Sequence, residues 1–537
     1  MIVSFASPTD GMMRVFLLPV FSGILYWISS QPFSYPLAVW VCLVPLGFSL
    51  YKTSPGKGFA GGFIYGFCFW LFAVWWLKIQ LINMVRLPPW QAWSWTLVFC
   101  AFHALPYAFF GCLTAKLRLM ESHLGVWFAS VSLVAIRTWF PHIFPGSEAH
   151  NLYAWPIFIQ VLDLGGAPLL LFFIYLVNFQ FVRVFTARGL HGSPAPALIS
   201  IAAVFMLLAG YGEYRIRQIH QQMKWANAGQ QIMIVAVQPN VPISERILYI
   251  PPEDRENDVK TAISMSRKAA HSYPGADLIV WPEMPVTYHC REEAGRDLPP
   301  LAKETSRAFM LPCTTVIGNK GEAYYNSVAF IDKDGIEGEK YHKIILVPFG
   351  EYLPLERQFP FLRRLFPGVM PFVSGNNGEL IYDFGEERKL IPSLCYEAIF
   401  TDHTRRFVKR GGNVLINMVN DGWFGISHAS VIHMSLALFR TVEFRIPLVR
   451  VTNSGVGMFV QPTGEIVPDS QTPLFQKAVT GHRLYIPPER SPYERWGETF
   501  LYGLTAWFVA GLGWCCLHNH QATRREKRPV FGSHPFL

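Results

Sequence analysis

The sequence predicts a helical membrane domain joined to a large water-soluble α/β domain. Hydrophobic residues make up 51% of the 537 residues, and charged residues only 15%, whereas about 25% is usual for soluble proteins. The deficit of charge lies in residues 1–212 and 500–517, which are almost free of acidic residues. Residues 213–498 have an ordinary soluble composition, and strand-like runs alternate there with helix-like segments. This alternation is typical of sheets covered by helices.

The apolar stretches divide the chain into three parts. Residues 1–212 form a membrane domain of seven predicted helices, residues 213–498 form the soluble domain, and residues 499–537 hold a last membrane helix and a basic tail. Each predicted span is close to the roughly 20 apolar residues that a bilayer requires. The eight spans are expected near 12–29, 35–51, 60–82, 91–114, 124–140, 157–182, 195–212 and 500–517.

The loops between these spans differ in charge, and the difference predicts the orientation. Alternate loops and the C-terminal tail carry most of the basic residues, whereas the loop 141–155 has no Lys or Arg. Basic residues are enriched on the cytoplasmic side of membrane proteins. We therefore expect both termini in the cytoplasm and the soluble domain in the periplasm of a bacterial inner membrane. The basic residues used are Arg14, Lys52, Lys57, Lys116, Arg118, Arg183, Arg188, Arg524, Arg525, Lys527 and Arg528.

Charge and cysteine usage exclude other classes of protein. The net charge of +9 resides mainly at helix ends, whereas a nucleic-acid-binding protein has a basic stripe on a soluble face. Neither CxxC spacing nor a Cys/His cluster occurs among the nine cysteines, so we expect no metal site. Cys290 and Cys313 could pair if the soluble domain lies outside the cytoplasm, and the sequence leaves this open.

The soluble domain has a regular succession of predicted elements. Strands are expected at 232–242, 278–281, 315–318, 324–330, 390–394, 414–418 and 448–452, and helices at 254–272, 297–309 and 428–445.

Three chemically distinct residues each flank one of the apolar runs. Cys395 ends the run that begins at Leu390, Glu283 follows the run Leu278–Pro282, and Lys343 begins the segment KIILVPFGEYLP. A thiol attacks a carbonyl efficiently when a base takes its proton and a cation stabilises the oxyanion. The sequence therefore suggests a cysteine nucleophile with a carboxylate base and a lysine.

The loop 141–155 carries three polar residues that the spans alone do not explain. His142, Glu148 and His150 lie on the same predicted side of the membrane as the soluble domain. They either line a path for a lipid headgroup or belong to an ordinary polar loop.

Five motifs, in order, resemble blocks of the carbon–nitrogen hydrolase (nitrilase) superfamily. They are WPE from Trp281, YHKIILVPFGEYLP from Tyr341, CYE from Cys395, NDGWFG from Asn420 and TNSG from Thr452. Together with seven spans before the domain and one after it, they make the chain from 12 to 517 similar to the apolipoprotein N-acyltransferase family. The resemblance implies an α-β-β-α sandwich for the soluble domain.

The same resemblance implies roles for individual residues. Glu283 is expected to be the general base, Lys343 the stabiliser of the oxyanion and Cys395 the nucleophile. Residues expected to support the active site or bind substrate are Glu351, Tyr396, Glu397, Asn420 and Trp423. One departure concerns residues 243–247, around Arg246, where relatives often have a Trp that this chain lacks.

The family's reaction defines the expected partners. An acyl chain passes from a phospholipid to the cysteine and then to the α-amine of the diacylglyceryl-cysteine that begins a bacterial apolipoprotein. We expect no cofactor, and we expect the protein to act as a monomer. Two alternatives remain at this point. One is a membrane-anchored nitrilase-type amidohydrolase that passes the thioester to water, and the other is a transporter or receptor whose soluble domain only binds a ligand.

Overall fold

The computed structural model describes residues 13–187, 193–243, 252–283, 290, 295–317, 323–376, 378–385 and 387–526. An N-terminal helical region precedes an α/β domain with two β-sheets, and a long helix follows it. The segment around Arg246, where the family tryptophan is absent, lies outside the described residues.

The N-terminal region consists of helices of very different length. Among the described residues, four helices are long and apolar enough to cross a membrane: α3, α5, α8 and α9. The predicted membrane region is thus confirmed, but the count of eight spans is not. The helices are α1 (Leu18–Ser29), α2 (Val44–Leu50), α3 (Pro55–Val74), α4 (Leu77–Asn83), α5 (Pro89–Lys116), α6 (His123–Trp139), α7 (Pro156–Ile159), α8 (Leu162–Ala187) and α9 (Ala195–Lys224).

Two predicted spans are interrupted. The span 60–82 divides into α3 and α4. The span 157–182 begins with the short α7, and α8 contains two residues with non-helical backbone angles, Gly165 and Gly166. Gly166 has φ of +63°, and a Cβ there would lie 2.6 Å from the Tyr493 hydroxyl oxygen. Only glycine tolerates both this conformation and this contact.

Glu148 lies inside the helical region rather than on a path for lipid. Its side chain is fully buried. One oxygen accepts hydrogen bonds from the Tyr65 and Tyr107 hydroxyls at 3.0 and 3.1 Å. The other accepts from Arg137 and from Tyr175. These donors satisfy the carboxylate, so the loop 141–155 is anchored among α3, α5, α6 and α8.

The α/β domain contains two sheets. The strands are β1 (Gln231–Gln238), β2 (Leu278–Val280), β3 (Ala308–Ile317), β4 (Ala323–Ile331), β5 (Tyr341–His342), β6 (Tyr382–Asp383), β7 (Lys389–Leu394), β8 (Val414–Val419), β9 (Leu448–Thr452), β10 (Met458–Val460) and β11 (Ala478–Tyr485). The strand orders are β11-β1-β2-β3-β4-β5 and β10-β9-β8-β7-β6.

Helices cover the outer faces of the sheets, which gives four layers. The helices from residue 252 onward are α10 (Pro252–Ser272), α11 (Gly295–Thr305), α12 (Leu362–Leu365), α13 (Thr401–Lys409), α14 (Ala429–Phe444), α15 (Pro492–Trp496) and α16 (Thr499–Glu526). Helix α10 contacts β1 and β11, and α11 contacts β3 and β4. Helix α13 contacts β7, α14 contacts β9, and β1 contacts β9 between the sheets.

The direction of the strands determines where functional side chains collect. Strand β2 runs parallel to β1 and β3, and β7, β8 and β9 are mutually parallel. The carboxyl ends of parallel strands lie at one edge of a sheet, where ligands usually bind. Glu283 follows β2, Cys395 follows β7, and Asn420 follows β8.

The main error in the predicted elements concerns β3. This strand begins at Ala308, whereas the sequence suggested that a helix continues to 309 and that the strand starts at 315. The run Phe309–Cys313 is almost entirely buried between β2 and β4. A fully buried strand has a continuous apolar pattern, which periodicity does not distinguish from a buried helix.

A buried ionic network joins the two regions. Asp163 at the start of α8 accepts hydrogen bonds from the Arg445 side chain at 2.5 and 3.0 Å and from Arg215 at 2.9 Å. Arg445 also donates to the Gln160 side chain at 2.7 Å. Because Asp163 is fully buried and Arg445 is 2% exposed, each charge depends on the other for compensation.

Replacing Asp163 by Asn should therefore destabilise the protein strongly. The change leaves Arg445 and Arg215 without their carboxylate, and breaking a buried pair costs about 3–5 kcal/mol. Thermal unfolding in detergent should show a clear decrease in Tm. The matched control is Glu213→Gln, which removes the exposed i,i+4 pair with Arg217 and should leave Tm within error. Equal Tm values for both variants would contradict the anchoring role.

Candidate active site

Cys395 occupies a constrained turn at the end of β7. It begins the 3₁₀ helix Cys395–Ile399 and has φ of +51°, a conformation that costs about 1–3 kcal/mol for a residue with a side chain. Its carbonyl accepts a hydrogen bond from the Asn417 side chain at 3.2 Å. The turn therefore fixes the direction in which the thiol leaves the sheet.

The Cys395 thiol and the Glu283 carboxylate lie on the wall of one cavity and interact electrostatically. Burial and the negative charge of Glu283 raise the pKa of this thiol well above its ordinary value, although Lys343 opposes the shift. The Lys343 charge alone would lower the thiol pKa, but burial and the carboxylate outweigh it. The resting group is consequently a neutral thiol that needs a base at the moment of attack.

Glu283 is suited to serve as that base. Burial raises the pKa of its carboxyl, and Lys343 partly opposes this. The Asn326 side chain donates a hydrogen bond to Glu283 Oε1 at 2.7 Å. A carboxylate with a raised pKa accepts a proton more readily than an ordinary one.

Lys343 follows the short strand β5 and is 1% exposed. Its Nζ lies 2.8 Å from Glu351 Oε1. Burial alone would lower the pKa of the ammonium, but the Glu351 and Glu283 carboxylates outweigh burial and raise it. Lys343 is therefore a permanent positive charge beside the thiol at neutral pH.

Asn326 connects the two carboxylates and was missed by sequence reasoning. Besides Glu283, its side-chain amide donates to Glu351 Oε1 at 3.2 Å, and its backbone carbonyl accepts from the Lys343 backbone amide at 2.8 Å. The signal was the polar pair Asn326 and Ser327 inside strand β4, whose other residues are Ala, Tyr, Val, Phe and Ile. Glu351 is held from its other oxygen by the Val347 amide at 2.8 Å.

Glu397 lies behind the site and joins two of the motifs. Its Oε1 accepts from the Tyr341 hydroxyl and the Ile344 amide, both at 2.7 Å. Its Oε2 accepts from the Leu394 amide at 2.8 Å. Glu397 is fully buried and does not line the cavity, so it holds the lysine segment against the end of β7.

A second polar network was also missed. The fully buried Asp421 accepts hydrogen bonds from Arg450 at 2.8 Å and Ser430 at 2.5 Å, and His433 Nδ1 lies 3.0 Å from it. Burial alone would raise the pKa of Asp421, but Arg450 and His433 lower it to about 2. Arg450 also donates to Asn417, which holds the Cys395 carbonyl. This network supports the nucleophile from the side of β8 and β9.

Three further predicted residues line a cavity together with Glu283, Lys343 and Cys395. Asn420 accepts from the Gly422 amide at 3.2 Å. The Trp423 carbonyl accepts from the Asn83 side chain at 3.1 Å, and the Tyr396 hydroxyl donates to the Ile143 carbonyl. Trp423 and Tyr396 thus connect the α/β domain to the helical region at the cavity.

One cavity contains all three residues of the expected triad. It has a volume of about 710 Å³, and Glu283, Lys343 and Cys395 lie on its wall together with Glu351. Much of the remaining wall comes from the helical region and is apolar. That part includes Val74, Leu77, Leu81, Met84, Val85, Trp95, Val98, Phe99 and Phe102. The reactive groups therefore face an apolar chamber.

Comparison with known proteins agrees with this architecture. Residues 234–514 match the family model described as carbon-nitrogen hydrolase, and residues 22–180 match the one described as apolipoprotein N-acyltransferase N-terminal domain. A carbon–nitrogen hydrolase domain attached to a helical membrane region is the class of protein that fold and site define. An amidase from Nesterenkonia sp. has 18% identity and a TM-score of 0.36, and the match covers 51% of this chain and 97% of the amidase.

Relatives that match along most of their length identify the family within this class of protein. The apolipoprotein N-acyltransferase of Geobacter metallireducens is 30% identical over 508 residues, which cover 92% of this chain and 94% of the relative. The apolipoprotein N-acyltransferase of Bdellovibrio bacteriovorus is 28% identical over 481 residues, which cover 85% of this chain and 86% of the relative. The chain belongs to the apolipoprotein N-acyltransferase family, as the motifs predicted, and it is an acyltransferase.

Replacing Glu397 by Gln should lower stability. A glutamine presents an NH₂ group to one of the buried donors, and an unsatisfied buried donor costs about 1–3 kcal/mol. Thermal unfolding of the variant should show a decreased Tm. Glu337→Gln, which alters a partly exposed pair with Lys340, is the control. If Glu397→Gln melts like the wild type, Glu397 does not hold the two motifs together.

The pH dependence of Cys395 alkylation should report the charges around the thiol. A free thiol has a pKa of about 8.5, and we expect the midpoint for Cys395 to lie above it. Glu283→Gln should move the midpoint down because the Glu283 charge raises the thiol pKa, and Lys343→Met should move it up. Peptide mass spectrometry with iodoacetamide measures modification at Cys395 alone. Shifts in the reverse directions would contradict the assigned electrostatics.

Proposed function

We propose that the protein transfers an acyl chain from a phospholipid, through a thioester on Cys395, to the α-amine of the diacylglyceryl-cysteine of an apolipoprotein. The observation that carries the proposal is the shared cavity. A thiol, a carboxylate with raised pKa and a buried ammonium face an apolar chamber to which the helical region contributes much of the wall. Family membership supports the identity of the acceptor.

In the first step Glu283 takes the proton of the Cys395 thiol while the sulfur attacks the ester carbonyl carbon. The negative charge that develops on the carbonyl oxygen is stabilised by the Lys343 ammonium. The bond from the carbonyl carbon to the glycerol oxygen then breaks. Glu283 returns the proton to that oxygen, so a lysophospholipid leaves and an acyl thioester remains.

In the second step the acceptor amine attacks the thioester carbonyl. Lys343 again faces the oxyanion, and Glu283 takes a proton from the attacking nitrogen. The carbon–sulfur bond breaks, the sulfur regains a proton, and the product is an amide. Both half-reactions use the same base and the same oxyanion stabiliser.

Phospholipid is the proposed donor because the apolar part of the wall comes from the helical region, including the candidate membrane spans α3 and α5. Removing an acyl chain from the bilayer into water would cost about 0.8 kcal/mol per CH₂ group. A chamber lined by Leu81, Met84 and Phe99 receives the chain without that cost. Tyr396 and Trp423, which bond to the helical region, are proposed to position the glycerol end.

We further propose that the α/β domain lies in the periplasm and both termini in the cytoplasm. Two independent features support this orientation. The basic residues favour the predicted cytoplasmic loops, and Cys290 and Cys313 form a disulfide, a bond typical of oxidising compartments. Because Glu283, Lys343 and Cys395 come from one chain, a monomer suffices, and the chemistry requires no cofactor.

Glu351, Glu397 and Asn420 are proposed to support the catalytic groups rather than to react. Glu351 balances the charge of Lys343. Glu397 holds the lysine segment to the end of β7. Asn420 lines the cavity beside Trp423.

Loss of the base should affect both half-reactions. Glu283→Gln should reduce acyl transfer about 10²–10⁴-fold, the usual contribution of a general base, and Cys395→Ala should abolish it. The assay incubates the full-length protein in vesicles with a phospholipid labelled in its acyl chain and a synthetic diacylated lipopeptide, and it measures N-acylated peptide. Glu337→Gln is the matched carboxylate control and should retain wild-type activity.

The same assay separates the transferase from the amidohydrolase. A hydrolase releases labelled free fatty acid at the same rate with or without the lipopeptide. A transferase produces labelled lipopeptide amide instead. Release of free fatty acid without labelled amide would overturn the proposal.

A further inference from the structure

The Cys290–Cys313 disulfide attaches the segment that carries Glu283 to strand β3. Cys290 follows Glu283 by seven positions in the sequence. Before Glu283, the Trp281 amide donates a hydrogen bond to the Met310 carbonyl on β3 at 3.0 Å. After it, the disulfide joins Cys290 to Cys313 on the same strand. Along the sequence, the expected base thus lies between two residues that are attached to one strand, and the second attachment is covalent.

The disulfide also lies at the cavity. Cys313 lines the cavity wall, as do its neighbours Pro312 and Thr314. Cys290 and Cys313 are 1% and 5% exposed. Any rearrangement of this bond therefore changes the wall that faces Glu283 and Cys395.

A chain of hydrogen bonds connects the disulfide to the lysine segment. The Thr315 hydroxyl lies 3.3 Å from Cys290 Sγ and 2.9 Å from the Ser327 hydroxyl. The Ser327 hydroxyl lies 2.8 Å from His342 Nδ1. His342 directly precedes Lys343, and Ser327 directly follows Asn326, which binds Glu283. Hydrogen bonds thus link the disulfide to Ser327, which is next to Asn326, the partner of Glu283, and to His342, which is next to Lys343.

We propose that Cys290 and Cys313 are positioning residues for Glu283, so that acyl transfer requires their disulfide. This inference rests on the proposed function of Glu283. Closing a segment covalently removes conformations that it otherwise samples. Without the bond, the restraints on the carboxylate among the described residues are non-covalent, and they include the Asn326 hydrogen bond, the Lys343 charge and the Trp281 attachment. A displacement of about 1 Å at a catalytic group costs up to roughly 10²-fold in rate.

The test compares the oxidised protein, the reduced protein and the double variant Cys290→Ser/Cys313→Ser. Tris(2-carboxyethyl)phosphine reduces the disulfide to two thiols while water supplies the oxygen of the phosphine oxide and the two protons. We expect acyl transfer to fall about 10- to 100-fold on reduction and in the double variant, and to return on reoxidation of the wild type. Cys112→Ser, which keeps the disulfide, is the matched control and should retain activity.

Two readouts distinguish positioning from a purely structural role. The pH midpoint of Cys395 alkylation should move down when the disulfide is lost, because the Glu283 charge that raises the thiol pKa is no longer held beside it. The phosphine should have no effect on the double variant. The alkylation readout needs no acyl transfer, so it tests positioning even if the proposed reaction is wrong.

Specific outcomes would overturn the inference. One is that the double variant keeps its activity and its alkylation midpoint. The same result would count if it were found in wild-type protein whose disulfide is reduced, as shown by a mass increase of two hydrogens. Another is a loss of activity that accompanies unfolding, measured by circular dichroism, with the midpoint of the remaining folded protein unchanged. The disulfide would then stabilise the fold without positioning Glu283.

Discussion

The Lys343 ammonium is almost inaccessible to water, and a buried charge without compensation costs several kcal/mol. Glu351 compensates it directly at 2.8 Å, and Asn326 joins Glu351 to Glu283. The carboxylates keep the lysine charged, and the lysine partly offsets the effect of burial on Glu283. The proposed chemistry depends on this mutual compensation, because it leaves one carboxylate able to accept a proton beside the Cys395 thiol.

The helical region completes the site as well as anchoring it. Helix α5 and the α4 segment supply much of the apolar cavity wall. The buried contact between Asp163 and Arg445 holds the α/β domain against the helices. Within the helical region, α3 packs closely against α5, since a Cβ at Gly62 would lie 2.0 Å from the Tyr107 carbonyl oxygen. The reactive groups and the apolar wall are therefore joined by buried contacts between the two regions.

The sequence predicted those parts of the site that follow directly from strand ends. Glu283, Cys395 and Asn420 each terminate an apolar run, and parallel strands bring such ends together. Asn326 and Arg450 were not predicted, because each lies within a strand and acquires its role from a partner distant in sequence. The interruption of the span 60–82 at Trp75 was also missed, since hydropathy reports composition and not backbone angles.

The most direct measurement of the central claim is the intact mass of the full-length protein after exposure to phospholipid without any acceptor. The account predicts a mass increase of one acyl chain, located at Cys395 by peptide mapping and lost when a diacylated lipopeptide is added. An unmodified Cys395 under conditions that release lysophospholipid, or an acyl chain on another residue, would contradict it.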